Sequence, residues 1–291
     1  MILADATHSL VSASEAAGAI DWRTQWPGAT LEGVLALAGI AVLWRAWVRR
    51  RRWLARSAPP WPGTFLDAAL FVAVLIVGIV LVRALAGVVI RVGHIGSGPA
   101  LLLFGVLTFE GALLLVIALF HFGYLRLQLN APAPTRGFGA VVQQGAGVFL
   151  ATVPLVVFLL GWLWESVLTG CGYPVTHQTL VDFFMGIESW WARAVFFAFA
   201  VVIAPITEEI IFRGIIYRGL TKVVPRGWAV LLSALLFGAA HGDFSTLLPL
   251  VALGALFALA YDATGCIAVT IIAHALFNLN TLVALMLGVG S

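Results

Sequence analysis

Apolar residues in this chain come in unbroken runs rather than in alternation or as a stripe on one helical face. Eight runs stand out, at residues 31–48, 66–90, 99–120, 141–164, 194–216, 228–240, 247–261 and 266–287. Runs that are apolar on every side belong to helices in lipid or deep in a core; strands of a membrane barrel would alternate with period two. The second, third, fourth and eighth runs reach the roughly 20 residues a bilayer demands, while the sixth and seventh are short of it. Proline and glycine mark the breaks, as in Pro59-Pro60-Trp61-Pro62-Gly63, Gly96-Ser97-Gly98-Pro99, Pro132-Ala133-Pro134 and Pro225-Arg226-Gly227. The pattern predicts an all-α, polytopic transmembrane helical bundle of about eight spans.

Composition agrees. Of 291 residues, 62% are hydrophobic and 10% charged, with a mean hydropathy of +1.06. A soluble domain would carry about 25% charged residues, so a soluble enzyme and a disordered or fibrous chain are excluded. The net charge of +3 is local in origin, because Arg49, Arg50, Arg51, Arg52 and Arg56 fall in one stretch. In so hydrophobic a chain this reads as a positive-inside anchor at the lipid surface, with membrane lipids and no nucleic acid as partners. With eight spans, that cluster, Arg126 and Arg136, and Arg218, Lys222 and Arg226 share one side. Asp5, Glu15, Asp21, Glu165, Asp182, Glu188 and Asp243 take the other, which turns both termini away from the cytoplasm. Cys171 and Cys266 have no metal-ligand spacing, the N-terminus lacks the order of a signal peptide, and no internal repeat is visible.

Ionisable groups at membrane depth are costly and direct attention to function. The densest set is Pro205-Ile206-Thr207-Glu208-Glu209-Ile210-Ile211-Phe212-Arg213-Gly214. Glu209 and Arg213 are four residues apart in the favourable order for a helical ion pair. Glu208 is five from Arg213, about 140° away around the helix, and projects from a different face. A carboxylate without a dedicated cation in an apolar site suits a general base. Phe237-Gly238-Ala239-Ala240-His241 ends the sixth run in a histidine, and His274-Ala275-Leu276-Phe277-Asn278 places an imidazole and an amide on one face of the eighth. That face offers either a metal ligand with a polar neighbour or two donors for an oxyanion. At about 1.5 Å per residue, Glu208 lies about 21 Å from Lys222, His241 about 20 Å from Trp228 and Asn278 about 18 Å from Cys266. The three sets therefore reach a common depth, provided the fifth helix continues toward Lys222. Glu110 reads as a helix-packing group, and His94 and His121 as interfacial.

Glu208-Glu209-x-x-x-Arg213, Phe237-x-x-x-His241 and His274-x-x-x-Asn278 resemble the three motifs of the CPBP family. This is the type II CAAX prenyl protease and bacteriocin-processing group of intramembrane proteases, also called the Abi family. The resemblance is strongest over residues 190–287, within a C-terminal transmembrane protease core of residues 141–291. Residues 1–140 read as an N-terminal accessory transmembrane module of about three spans. The resemblance implies hydrolysis of a peptide bond in a membrane-associated peptide or protein, in a multi-pass protein of a prokaryotic cell membrane. It implies that Glu208 is the general base, that Glu209 with Arg213 holds the motif helix, and that His241, His274 and Asn278 complete the site. Two mechanisms stay open. Glu208, His241 and His274 could ligate a zinc with water in the fourth position; alternatively Glu208 activates water while His274 and Asn278 stabilise the oxyanion. A non-catalytic binding or immunity protein is a second functional class, and a proton-coupled transporter a third, disfavoured by the missing repeat.

Overall fold

The computed structural model describes residues 22–48, 58–92, 99–130, 137–173, 184 and 187–287. Among them are eight long helices: α1 Trp22–Val48, α2 Phe65–Val92, α3 Pro99–Gly123, α4 Phe138–Gly170 and α5 Trp190–Leu220, α6 Arg226–Ala240, α7 Leu247–Thr264 and α8 Ile267–Met286. Each corresponds to one apolar run. The protein is an all-α integral membrane protein, and six of its helices are long and apolar enough to cross a bilayer. The remaining two hold shorter apolar stretches, Thr108–Gly123 and Arg226–Ala240. Residues 1–21, Arg49–Arg52, Arg56, His94, Arg136 and Asp182 lie outside the described residues.

Two helices outrun their hydrophobic patterns. α4 ends at Gly170 rather than at 164, so Glu165 is helical and not a loop residue. It passes Pro154 by widening into a π-type segment, Val153–Gly161. A proline has no N–H for the i→i−4 ladder, and a wider turn absorbs the loss. α5 likewise runs without a break to Leu220, through widened segments Phe199–Ile203 and Ile210–Tyr217. The fifth helix thus continues past the glutamates, as the depth arithmetic requires.

Lipid offers no hydrophobic drive between helices, so contact depends on close fit and small residues. Gly254 on α7 faces α6 so closely that a Cβ there would lie 3.1 Å from both Ala234 Cα and the Phe237 ring. Gly39 on α1 lies against α4, where a Cβ would stand 2.0 Å from the Leu150 carbonyl oxygen. The main apolar core runs between these helices and includes Phe71, Phe120, Val153, Ile215, Phe237, Phe257, Val269 and Ala273. The outer faces of α2 and α3 remain apolar and uncovered, with Leu66 and Phe122 each 75% exposed. That surface is suited to acyl chains.

The helix ends on the arginine-rich side are tied by polar contacts. Arg226 pairs with Asp262 across α6 and α7. Tyr261 donates its hydroxyl to the Leu129 carbonyl, 2.9 Å away. Asn130 Oδ1 accepts the Ile267 N–H at 3.0 Å, a capping bond that Cys266 at the start of α8 does not supply. The last of these satisfies a backbone N–H that a helix terminus would otherwise leave open.

Candidate active site

Local sequence shapes the helix that carries the two glutamates. The Ala204 N–H reaches back to the Phe199 carbonyl, five residues away, in a π register. In that register the Ala200 carbonyl would await the N–H of residue 205, which is a proline and has none. Asn278 fills the gap, its Nδ2 donating to Ala200 O at 2.8 Å. One amide proton of Asn278 is therefore committed to holding α8 against the distorted turn before Glu208.

Glu209 and Glu208 part company as their spacing predicts. Glu209 is fully buried, and its Oε1 accepts from Arg213 Nη1 at 2.8 Å. Arg213 also donates Nη2 to the Gly254 carbonyl at 3.2 Å. Its guanidinium lies over the rings of Phe237 and Phe257, 4.5 and 5.2 Å from their centroids. A buried cation with a carboxylate, a carbonyl and two ring faces is well compensated. The absence of a Cβ at Gly254 lets α7 pack close against α6 beside this guanidinium.

His274 is the hinge of the arrangement. Its Nδ1 bonds to the same Glu209 Oε1 at 2.9 Å, and its Nε2 faces Glu208 Oε2 at 3.8 Å. His241 closes α6, where the left-handed Gly242 (φ 68) follows, and its Nδ1 bonds to the Phe237 carbonyl at 2.8 Å. Its Nε2 stands 3.9 Å from Glu208 Oε2. With Nδ1 donating in both rings, each neutral imidazole presents a lone pair at Nε2. Glu208 Oε2 has no hydrogen-bond partner of its own. Three acceptors from three helices therefore converge, and no protein donor lies among them. The Glu208 and His241 side chains are 22% and 23% exposed, while Glu208 Oε2 itself is buried and the Glu209 network is sealed throughout.

The structure thus brings Glu208, Glu209, Arg213, His241 and His274 into one cluster and places Asn278 one turn away, on the carbonyl of Ala200. It also adds residues that the sequence reading placed elsewhere. Glu110 is buried, and its Oε2 accepts from Thr207 Oγ1 at 2.9 Å. Its signal in the sequence was its isolation, as the one acidic residue in α3. Of the two histidines read as interfacial, His121 accepts the Leu127 N–H at 2.9 Å.

Residues 189–280 match the family model described as type II CAAX prenyl endopeptidase, Rce1-like. This third of the chain is similar to the Rce1-like family. The Rce1-like segment runs from the start of α5 into α8 and contains every motif residue above. Two bacterial proteins are similar over part of the chain. YdiL of Bacillus subtilis (strain 168), named as a candidate membrane peptidase, is 41% identical over 85 residues, 29% of this chain and 34% of that protein. MroQ of Staphylococcus aureus (strain USA300), named as a membrane-embedded CAAX protease, is 36% identical over 90 residues, 29% of this chain and 36% of its own length. The alignments thus span about a third of each relative. No solved structure matches the chain at a significant level.

Proposed function

We propose that this protein is an intramembrane endopeptidase of a prokaryotic cell membrane, which hydrolyses a peptide bond of a membrane-associated peptide or protein. The observation that carries this reading is the convergence of Glu208 Oε2, His241 Nε2 and His274 Nε2 from three helices on one point. Lone pairs facing one another repel, so the point is made for a species that brings protons or positive charge. A water about 2.8 Å from Glu208 Oε2 and from one imidazole would span a separation of 3.8 or 3.9 Å, its two O–H bonds directed at two of the three acceptors. Glu208 takes one proton from that water as its oxygen attacks the scissile carbonyl carbon, and the same proton passes to the departing amine. Glu209 and Arg213 do not touch the reacting atoms; they set the direction of His274. In its neutral form His274 accepts at Nε2, so donation to the oxyanion would need an imidazolium.

The same three groups fit a divalent metal in kind. Both imidazoles have the outer N–H bonded to a carbonyl or carboxylate, the arrangement that orients metal-ligating histidines. Among the described residues no three such groups already form a ligand set. Their separations of 3.8 and 3.9 Å exceed the roughly 3.3 Å between ligands of a tetrahedral shell with bonds of about 2.0–2.1 Å. An inward shift of about half an ångström would let Glu208, His241 and His274 hold zinc, which would supply Lewis acidity to the bound water.

The test compares wild type with Glu208→Gln in detergent, using mass spectrometry of a solubilised bacterial membrane proteome and metal analysis of the same samples. The expected result is loss of cleavage by about 10²–10⁴-fold with unchanged thermal unfolding. Equal cleavage by the two proteins would overturn the assignment. Stoichiometric zinc that disappears in His241→Ala and His274→Ala would select the metal form.

A further inference from the structure

α3 reaches the site from outside the Rce1-like segment. Its Glu110 is 8% exposed in an apolar bundle, a position where a carboxylate costs several kcal/mol. Among the described residues its one hydrogen-bond donor is Thr207, the residue before Glu208. Thr207 is fully buried and has a single hydroxyl proton with three acceptors in range: Glu110 Oε2 at 2.9 Å, Ala204 O at 2.9 Å and Ile203 O at 3.1 Å. A threonine in a helix ordinarily bonds back to its own turn. A carboxylate is the stronger acceptor, because a charge-assisted bond is about twice as strong as a neutral one. The competition therefore tips toward α3, and α5 is tied across the bundle at the turn that presents Glu208.

A second tie acts on the same helix. Arg218, near the end of α5, donates Nε to the Pro59 carbonyl at 2.9 Å and Nη2 to Pro60 O. Its guanidinium lies 5.6 Å from the centroid of the Trp61 ring. Gly219 meets Ala68 of α2, where a Cβ would approach within 2.4 Å. Helix α5 is thus held at its middle and at its end by α2, α3 and the loop between α1 and α2. Sliding or rotating it would break bonds at two places 11 residues apart, from Thr207 to Arg218.

We infer that Glu110 is a positioning residue of the active site, acting through Thr207 to set where Glu208 points, so that the N-terminal module forms part of the enzyme. This rests on the protease reading. Loss of the Glu110–Thr207 bond would leave substrate binding largely intact and misplace the base, which lowers kcat and leaves KM near its original value.

The experiment uses the full chain in detergent and a quenched fluorogenic peptide spanning a cleavage site found with wild type. Glu110→Ala and Thr207→Val should each lower kcat about 10–100-fold, with KM within about threefold. Glu110→Gln and Thr207→Ser preserve an acceptor and a donor and should restore kcat to within about threefold of wild type. The Glu110→Ala/Thr207→Val double variant should be no slower than the poorer single variant, since the two act through one bond. Thermal unfolding identifies the folded fraction to which each rate is normalised. If folded Glu110→Ala cleaves at the wild-type rate while Glu208→Gln is inactive, Glu110 is a packing residue and only this inference fails. Multiplying rather than shared losses in the double variant would overturn it as well. Cleavage that survives Glu208→Gln would remove both this inference and the protease reading.

Discussion

Helices α2 and α7 are both predominantly apolar, yet 11% of the spanning window of α2 is buried inside the protein and 39% of that of α7. The two regions they represent handle polarity in opposite ways. On α2 and α3 the side chains face outward as a broad apolar surface, with Leu81 63% exposed and Leu119 62% exposed. In α5 to α8 the surface turned inward carries Glu209, Arg213, His274 and Thr270, all almost completely buried. The contrast shows where tolerance to substitution should end. A lipid-facing side chain meets acyl chains whether it is long or short. A residue in the α5–α8 cluster meets a specific partner atom, and its loss strands that partner in an apolar interior.

The largest effect is expected at the centre of that cluster. Arg213→Met keeps the side-chain bulk but leaves Glu209 without its cation, and should lower stability by about 3–5 kcal/mol. Thermal unfolding in detergent, followed by tryptophan fluorescence, would measure it; an unchanged midpoint would mean that the charge pair is not an essential brace. Gly254→Val comes next. Its branched side chain would force α6 and α7 apart at Ala234 and Phe237 and lengthen the Arg213–Gly254 bond, with a cost of about 1–3 kcal/mol. A fall in cleavage larger than the fall in folded protein would show that the spacing between α6 and α7 also sets the position of His241. The smallest change should come from Leu81→Ala on the outer face, within about 0.5 kcal/mol and without effect on cleavage. A loss comparable to that of Gly254→Val would break the comparison, because it would mean that α2 is covered by protein.

Much of this division was legible in the sequence. The eight runs became eight helices because an apolar stretch in lipid must satisfy its backbone internally, and the helix is the local way to do so. The separation of Glu208 from Glu209 followed from 100° per residue, and the Glu209–Arg213 pair from the spacing of four. Glu165 was misplaced because hydropathy falls at Trp164 while the backbone ladder of α4 continues to Gly170. Glu110 could be noticed as an acid in an apolar run, but its partner lies 97 residues away. The commitment of Asn278 to Ala200 was equally hidden, because it depends on a π turn next to Pro205.

The amino-acid order by itself determined the helices, their number and the identity of the titratable residues carried at membrane depth. These follow from local physics: hydropathy, helical period and the absence of an N–H at proline. Tertiary structure decided which lone pairs face one another. Only packing brought His241 from α6 and His274 from α8 to within 3.9 and 3.8 Å of Glu208. It also decided that an acid on α3 would accept a hydrogen bond from the residue before that glutamate. Contacts between helices depend on rotations and offsets fixed by close-packed glycines and carbonyls, and no local period encodes those.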